Sequence, residues 1–178
     1  MNLIIDVGNT STKVAAFDGK TLIKSEKYDR FDQSNIQNDF DITLFESAIL
    51  SNVTDRNETL ETFINTFKKG HVLSDSSIIP FKNTYLTPDS LGQDRLANAA
   101  GLAVQFPSNN SLCIDLGTCM KFDFVDAEGN YRGGAISPGF NMRFKALNTF
   151  TDKLPFIDLQ STKKLIGNDT EESITSGV

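Results

Sequence analysis

Asp6-Val7-Gly8-Asn9-Thr10-Ser11-Thr12-Lys13 near the start of the chain and Asp115-Leu116-Gly117-Thr118-Cys119-Met120-Lys121 past its middle share Asp, Gly, Thr and Lys in the same order, once one residue is dropped beside Asn9. The offset is 109 residues before that gap and 108 after it. Each stretch follows a short apolar run, Leu3-Ile4-Ile5 in one and Leu112-Cys113-Ile114 in the other, and each precedes a second strand-like segment. The agreement of sequence and context reads as an internal duplication of a strand-turn-strand unit.

Working outward, Lys13 to Phe17 closes a first hairpin before the Asp18-Gly19 turn, Leu22 to Tyr28 adds a third strand, and Ser47 to Val53 reads as a buried one. Leu60, Phe63, Ile64 and Phe67 fall on one face of a helix that is expected to start near Asn57 and to stop at Gly70. A second helix is expected from Asp94 to Gln105, ended by Pro107, and Ser108-Asn109-Asn110 is the linker candidate. Beyond it Met120, Phe122 and Phe124 alternate as a strand, and helices are expected over Phe140 to Leu147 and from about Thr170. The expected domains are residues 1–108 and 109–178.

The 178 residues carry 17 Lys and Arg against 23 Asp and Glu, a net charge of −6, so a polyanionic partner such as nucleic acid is not expected. No apolar run approaches the roughly 20 residues that span a bilayer, and the N-terminus lacks the basic and long apolar regions of a signal peptide. A cytoplasmic protein without membrane association is the expectation. Cys113 and Cys119 are six apart and His71 is the sole histidine, which favours reduced thiols over a zinc site.

A strand that ends in Asp and turns through Gly and Thr has a chemical logic. Glycine admits a ligand close to the backbone, successive N–H groups form an anion-binding concavity, and the aspartate holds a cation against phosphate charge. Two such turns face to face would clamp a polyphosphate, although a single Asp-x-Gly turn is also an ordinary hairpin connector. Lys13 and Lys121 are candidate phosphate contacts, or solvated surface lysines. Gly92-Gln93-Asp94-Arg95 stands at a helix start, where Asp94 fits a general base and Arg95 a contact to carboxylate or phosphoryl oxygens; a plain capping acid beside a surface arginine reads equally from those residues. Gly133-Gly134-Ala135-Ile136-Ser137-Pro138-Gly139 implies close backbone approach, either to a ligand or to a neighbouring strand.

Together these four motifs, in this order, resemble type III pantothenate kinase, of the acetate-kinase, sugar-kinase, Hsp70 and actin superfamily, over essentially the whole chain. The resemblance implies an α/β fold of two duplicated ribonuclease-H-like domains with the nucleotide cleft between them. It implies ATP contacts from Asp6, Val7, Gly8, Asn9, Thr10, Ser11, Thr12, Lys13 and Thr118. Asp94 is then the catalytic proton acceptor for the pantothenate hydroxyl, and Tyr85, Gly92, Gln93, Asp94, Arg95 and Thr170 bind pantothenate. Mg2+ arrives with ATP, and Asp115 holds a monovalent cation, K+ or NH4+. Thr170 is implied to reach the partner's site in a homodimer, so that its helix should present residues such as Ile174 to another chain.

Two departures stand out. Cys119, Met120 and Lys121 occupy positions where the family usually carries small residues and threonines, and the chain stops at Ser176-Gly177-Val178 inside an expected helix, which reads as truncation of the C-terminal part. The readings held open beside pantothenate phosphorylation are a non-catalytic accessory or regulatory relative and another small-molecule kinase of the superfamily.

Overall fold

The structure is a computed structural model that describes residues 1–55, 57–160 and 164–178. It is a mixed α/β fold with two sheets. The first is built from β1 (Asn2–Val7), β2 (Thr12–Asp18), β3 (Thr21–Tyr28), β4 (Ser47–Asn52) and β5 (Lys69–Val72), in the order β3-β2-β1-β4-β5. β1 to β3 form an antiparallel meander, and β4 and β5 add in parallel on the other side of β1. A parallel neighbour needs a crossover, and the two short helices supply it: α1 (Gln33–Asp39) between β3 and β4, and α2 (Glu58–Ile64) between β4 and β5.

Both helices begin at the side chain that their sequence offers. Asp32 accepts from the Ser34 and Asn35 N–H groups, and Asn57 accepts from those of Thr59 and Leu60. Leu3, Ile5, Val7 and Val14 from the sheet bury against Ile36, Leu60, Phe63 and Ile64 as the first core.

The expected stop at Gly70 is displaced. α2 ends at Ile64, and Thr66 and Phe67 continue through i to i+3 turns that still deliver the Phe67 ring to the core. Gly70 lies within β5, where a Cβ would stand 2.0 Å from the Ile64 carbonyl oxygen. The glycine therefore admits the helix end onto the strand.

The second sheet has the order β6-β9-β8-β7, from β6 (Lys82–Asn83), β7 (Ser111–Leu116), β8 (Cys119–Val125) and β9 (Asn130–Pro138). β7 to β9 repeat the antiparallel meander, and β6, which precedes residue 108, is the parallel edge strand beside β9. α3 (Gln93–Gln105) covers one face, burying Leu96, Ala99 and Leu102 with Leu73, Phe81, Val125 and Tyr131. Ile49 of the first sheet packs on the same cluster, so α3 joins the two sheets. On the opposite face Leu112, Ile114 and Leu116 of β7 are exposed. α4 (Phe140–Thr149) and α5 (Thr170–Gly177) close the chain and share a small core of Phe144, Ile157 and Ile174. Ile174 is thus buried within its own chain, because α5 turns its apolar side onto α4. Among the described residues no helix is long and apolar enough to cross a membrane.

Candidate active site

The two Gly-Thr turns meet. The Thr10 and Thr118 hydroxyls are 2.7 Å apart, both exposed, and each turn is closed by its glycine N–H, Gly8 to the Ser11 carbonyl and Gly117 to the Cys119 carbonyl, both 3.0 Å. The hairpin registers also correspond. Asp6 lies opposite Lys13 across β1 and β2, and Asp115 lies opposite Lys121 across β7 and β8.

Period-2 alternation decides which side chains converge beneath the second turn. With Met120, Phe122 and Phe124 on one face of β8, Lys121 and Asp123 point to the other, onto α3. There Lys121 Nζ donates to Asp94 Oδ2 and, at 2.8 Å, to Asp115 Oδ2. Burial alone would push the Lys121 ammonium down; hydrogen bonds and charge from Asp115 and Asp94 outweigh it and raise its pKa. Asp94 is fixed from the other side, since its Oδ1 accepts from the Arg95 N–H at 2.8 Å. Gly92, the residue before the helix, leaves the space this carboxylate occupies, for a Cβ there would stand 2.6 Å from Asp94 Oδ1. Gln93 is turned to the first sheet, accepting from the Asn52 N–H at 2.9 Å.

Arg95, expected as a substrate contact, is buried. Its Nε donates to Asp123 Oδ1 at 2.8 Å, the Tyr131 hydroxyl donates to the same oxygen at 2.7 Å, and Asn98 reaches Oδ2. The guanidinium carbon lies 5.5 Å from the Tyr85 ring centroid, within cation–π range. Among the described residues its buried Nη2 has no hydrogen-bond partner.

The glycine-rich stretch accommodates these neighbours. At Gly133, φ is +93° and the Tyr85 ring lies against the position of a Cβ; at Gly134 a Cβ would strike the Phe122 carbonyl oxygen; at Gly139 one would stand 2.4 Å from both the Gly117 and Thr118 carbonyl oxygens. Of the two readings of that stretch, the close approach is to neighbouring backbone. It seats the second turn, and the Gly139 N–H bonds the Thr118 carbonyl.

Asp6 is half-buried, Lys13 is exposed, and among the described residues neither has an ion pair. Thr12 is buried, and among the described residues its hydroxyl has no hydrogen-bond partner. Thr170 stands apart as the first residue of α5; it is exposed, lines a cavity of about 650 Å³ with Leu147, Leu154 and Ile174, and among the described residues has no hydrogen bond to the Asp94 cluster. Asp123, Tyr131 and Asn98 were not among the residues expected from the sequence. A carboxylate alternating with apolar residues in β8, opposite an arginine on the covering helix, is the signal that marks Asp123.

Whether Asp115 fits a free monovalent cation is a question about its donors. Its carboxylate already holds an ammonium at hydrogen-bond distance, and among the described residues no group of three or more His, Cys, Asp or Glu could hold a metal ion. The residues present do not fit a free ion at that position.

The family model of type III pantothenate kinase matches residues 2–178. Relatives named type III pantothenate kinase include one from Christiangramia forsetii, 43% identical over 185 residues that cover all of this chain and 74% of the relative. Others come from Flavobacterium psychrophilum, 40% identical and 75% covered, and Bacteroides fragilis, 39% identical and 74% covered, each again matching the whole of this chain. A solved structure from Campylobacter jejuni, of a conserved protein assigned to the Baf family of transcriptional activators, aligns at a TM-score of 0.60 and 20% identity, covering 99% of this chain and 73% of the other, which is a likeness of fold. The family model and the relatives match over the length of this chain, in agreement with the motif order: the chain belongs to the type III pantothenate kinase family.

Proposed function

We propose that the chain phosphorylates pantothenate with ATP to 4'-phosphopantothenate, the first step of coenzyme A biosynthesis. Family membership supports the activity, and the observation that carries its assignment to residues is Asp94, held between the Arg95 N–H and Lys121, whose ammonium also holds Asp115 at the strand end before the second turn. An ionised carboxylate has about four lone-pair sites, so the two contacts leave Asp94 able to accept a third proton donor. The pantothenate hydroxyl oxygen attacks the γ-phosphorus, its proton passes to Asp94, and the bond from γ-phosphorus to the bridging oxygen breaks to release ADP.

The turns from Asp6 to Lys13 and at Thr118 bind the phosphates of ATP, which enters with its Mg2+. Asp6, half-buried and without an ion pair among the described residues, faces that complex from the first turn. Tyr85, Gly92, Gln93 and Arg95 shape the pantothenate pocket, with Arg95 buried behind it on Asp123 and the Tyr85 ring. The meanders β1 to β3 and β7 to β9 are the repeated cores of two ribonuclease-H-like units, a reading supported by their matching Asp–Lys registers, with β6 and α3, both before residue 108, belonging to the second sheet. A homodimer that places Thr170 at the partner's site is supported by the exposed Leu165 and Ile166 just before it.

An accessory protein without turnover is less favoured, because binding alone gives no reason to hold a carboxylate in this geometry. The test is ADP release with and without pantothenate, for the wild type and Asp94→Asn. Release that depends on pantothenate and falls about 10²-fold or more in a folded variant is expected. Wild-type-like turnover by Asp94→Asn at saturating substrate would remove Asp94 as the base.

A further inference from the structure

Two carboxylates from different elements, Asp94 at the start of α3 and Asp115 at the end of β7, converge on one point, and the side chain at that point is Lys121. The three side chains are 16%, 27% and 17% exposed. Two like charges in so poorly hydrated a place require a positive charge between them. A kinase of this kind also needs positive charge near the transferring phosphoryl group.

We propose that Lys121 is a tethered monovalent cation: its ammonium does the work of a free potassium or ammonium ion, and turnover is independent of either. The charge matches, +1 for +1. The contact to Asp115 Oδ2, 2.8 Å, lies in the range of a charge-assisted hydrogen bond. The strand register fixes the tether, because Lys121 is the direct cross-strand partner of Asp115. An ion delivered by the chain is present whenever the protein is folded and is not diluted by the medium. Lys121 also holds Asp94 at its Oδ2, so it positions the base as well as neutralising the site.

The proposal rests on the kinase reading for its turnover arm but not for its binding arm. Turnover and melting temperature are measured for the wild type, Lys121→Ala, Lys121→Met and Lys121→Arg in potassium, ammonium and choline chloride at equal ionic strength. For the wild type the expectation is turnover within about twofold across the three salts and a melting temperature indifferent to the cation. Lys121→Ala leaves two carboxylates around an open space. It should lose most turnover in choline, regain at least about tenfold in potassium or ammonium, and melt about 2–4 °C higher in those salts without any substrate.

Lys121→Met fills the space without charge and should show neither rescue, whereas Lys121→Arg should keep the cation independence. A wild type activated tenfold or more by potassium, or a folded Lys121→Ala whose melting and turnover ignore the cation, overturns the proposal. Absence of pantothenate-dependent turnover in every protein and salt would instead count against the kinase reading, and the melting shifts would then decide the cation site by themselves.

Discussion

Thr10 and Thr118 lie 108 positions apart, the spacing at which the two phosphate-type motifs repeat, and their hydroxyls meet at 2.7 Å. A duplicated turn serves one ligand only if both copies face the same space, and this contact sets them there. The glycine at the far end of the glycine-rich stretch completes the arrangement, since Gly139 lets β9 close directly onto the Gly117-Thr118 backbone.

Thr118→Val keeps the shape and removes the hydroxyl. Both threonines are exposed, so their mutual bond adds little stability, and the melting temperature should change by no more than about 2 °C. If the hydroxyl donates to a phosphate oxygen, a charge-assisted bond is lost and the KM for ATP rises about 10- to 100-fold, with the KM for pantothenate nearly unchanged. Steady-state kinetics with each substrate varied separately checks this; an unchanged KM for ATP would take Thr118 out of the phosphate site.

Asp123 is fully buried and gathers Arg95, Tyr131 and Asn98. Asp123→Ala strands a buried guanidinium and should destabilise the fold by about 3–5 kcal/mol. Denaturant unfolding measures the loss. The milder Asp123→Asn should remain folded yet raise the KM for pantothenate, because Arg95 would no longer be held in place. A small loss for Asp123→Ala, under about 1 kcal/mol, would mean that the buried pair is dispensable.

What was legible in the sequence followed from local patterning. The hairpins, the α3 span and the pairing of the motifs all rest on alternation, caps and turn residues that act within a few positions. The role of Lys121 was not legible, since a lysine after a turn reads as a phosphate contact or a solvated side chain until α3 is packed across β7 and β8. Arg95 is similar. Its burial depends on Asp123, 28 residues later in the chain, and no local pattern carries that partnership. α2 ends at Ile64 rather than at the expected Gly70 for a related reason: Phe67 keeps helical spacing by position, while its backbone has already turned toward β5.

Asp126 supplies a pH dependence at the turn between β8 and β9. Burial alone would push its carboxyl up, but hydrogen bonds from the Asn130 side chain and backbone, then Arg132, hold it at about 2, below its ordinary 3.8. The unfolded chain therefore binds more protons between those values. The contribution is fully present above pH 3.8 and is lost as pH falls through about 2. Asp126→Asn should be less stable than the wild type at pH 6, and the gap should narrow on acidification to pH 3. Urea unfolding at both pH values tests this, and a gap that widened toward pH 3 would contradict the assignment.

The last prediction concerns assembly. Thr170 begins α5 behind the Asp169 cap, whose side chain accepts from the Glu172 N–H at 2.8 Å, so the residue is fixed in place but turned to solvent. Leu165 and Ile166, 89% and 78% exposed, lie five and four positions before it. Two large exposed apolar side chains in the segment leading to a candidate substrate contact favour a subunit interface over a free surface. If each site takes Asp94 from one subunit and Thr170 from the other, Asp94→Asn and a bulky Thr170→Trp are each inactive alone. In a mixed dimer one of the two sites then unites an intact Asp94 with an intact Thr170. After full exchange of equal amounts, about half of the dimers are mixed and about a quarter of wild-type turnover returns. Sedimentation establishes the dimer first, and mass spectrometry of differently tagged subunits establishes exchange. Recovery near a quarter places Thr170 in the partner's site, whereas none after complete exchange means that each site is built within one chain and that Thr170 acts as a helix start alone.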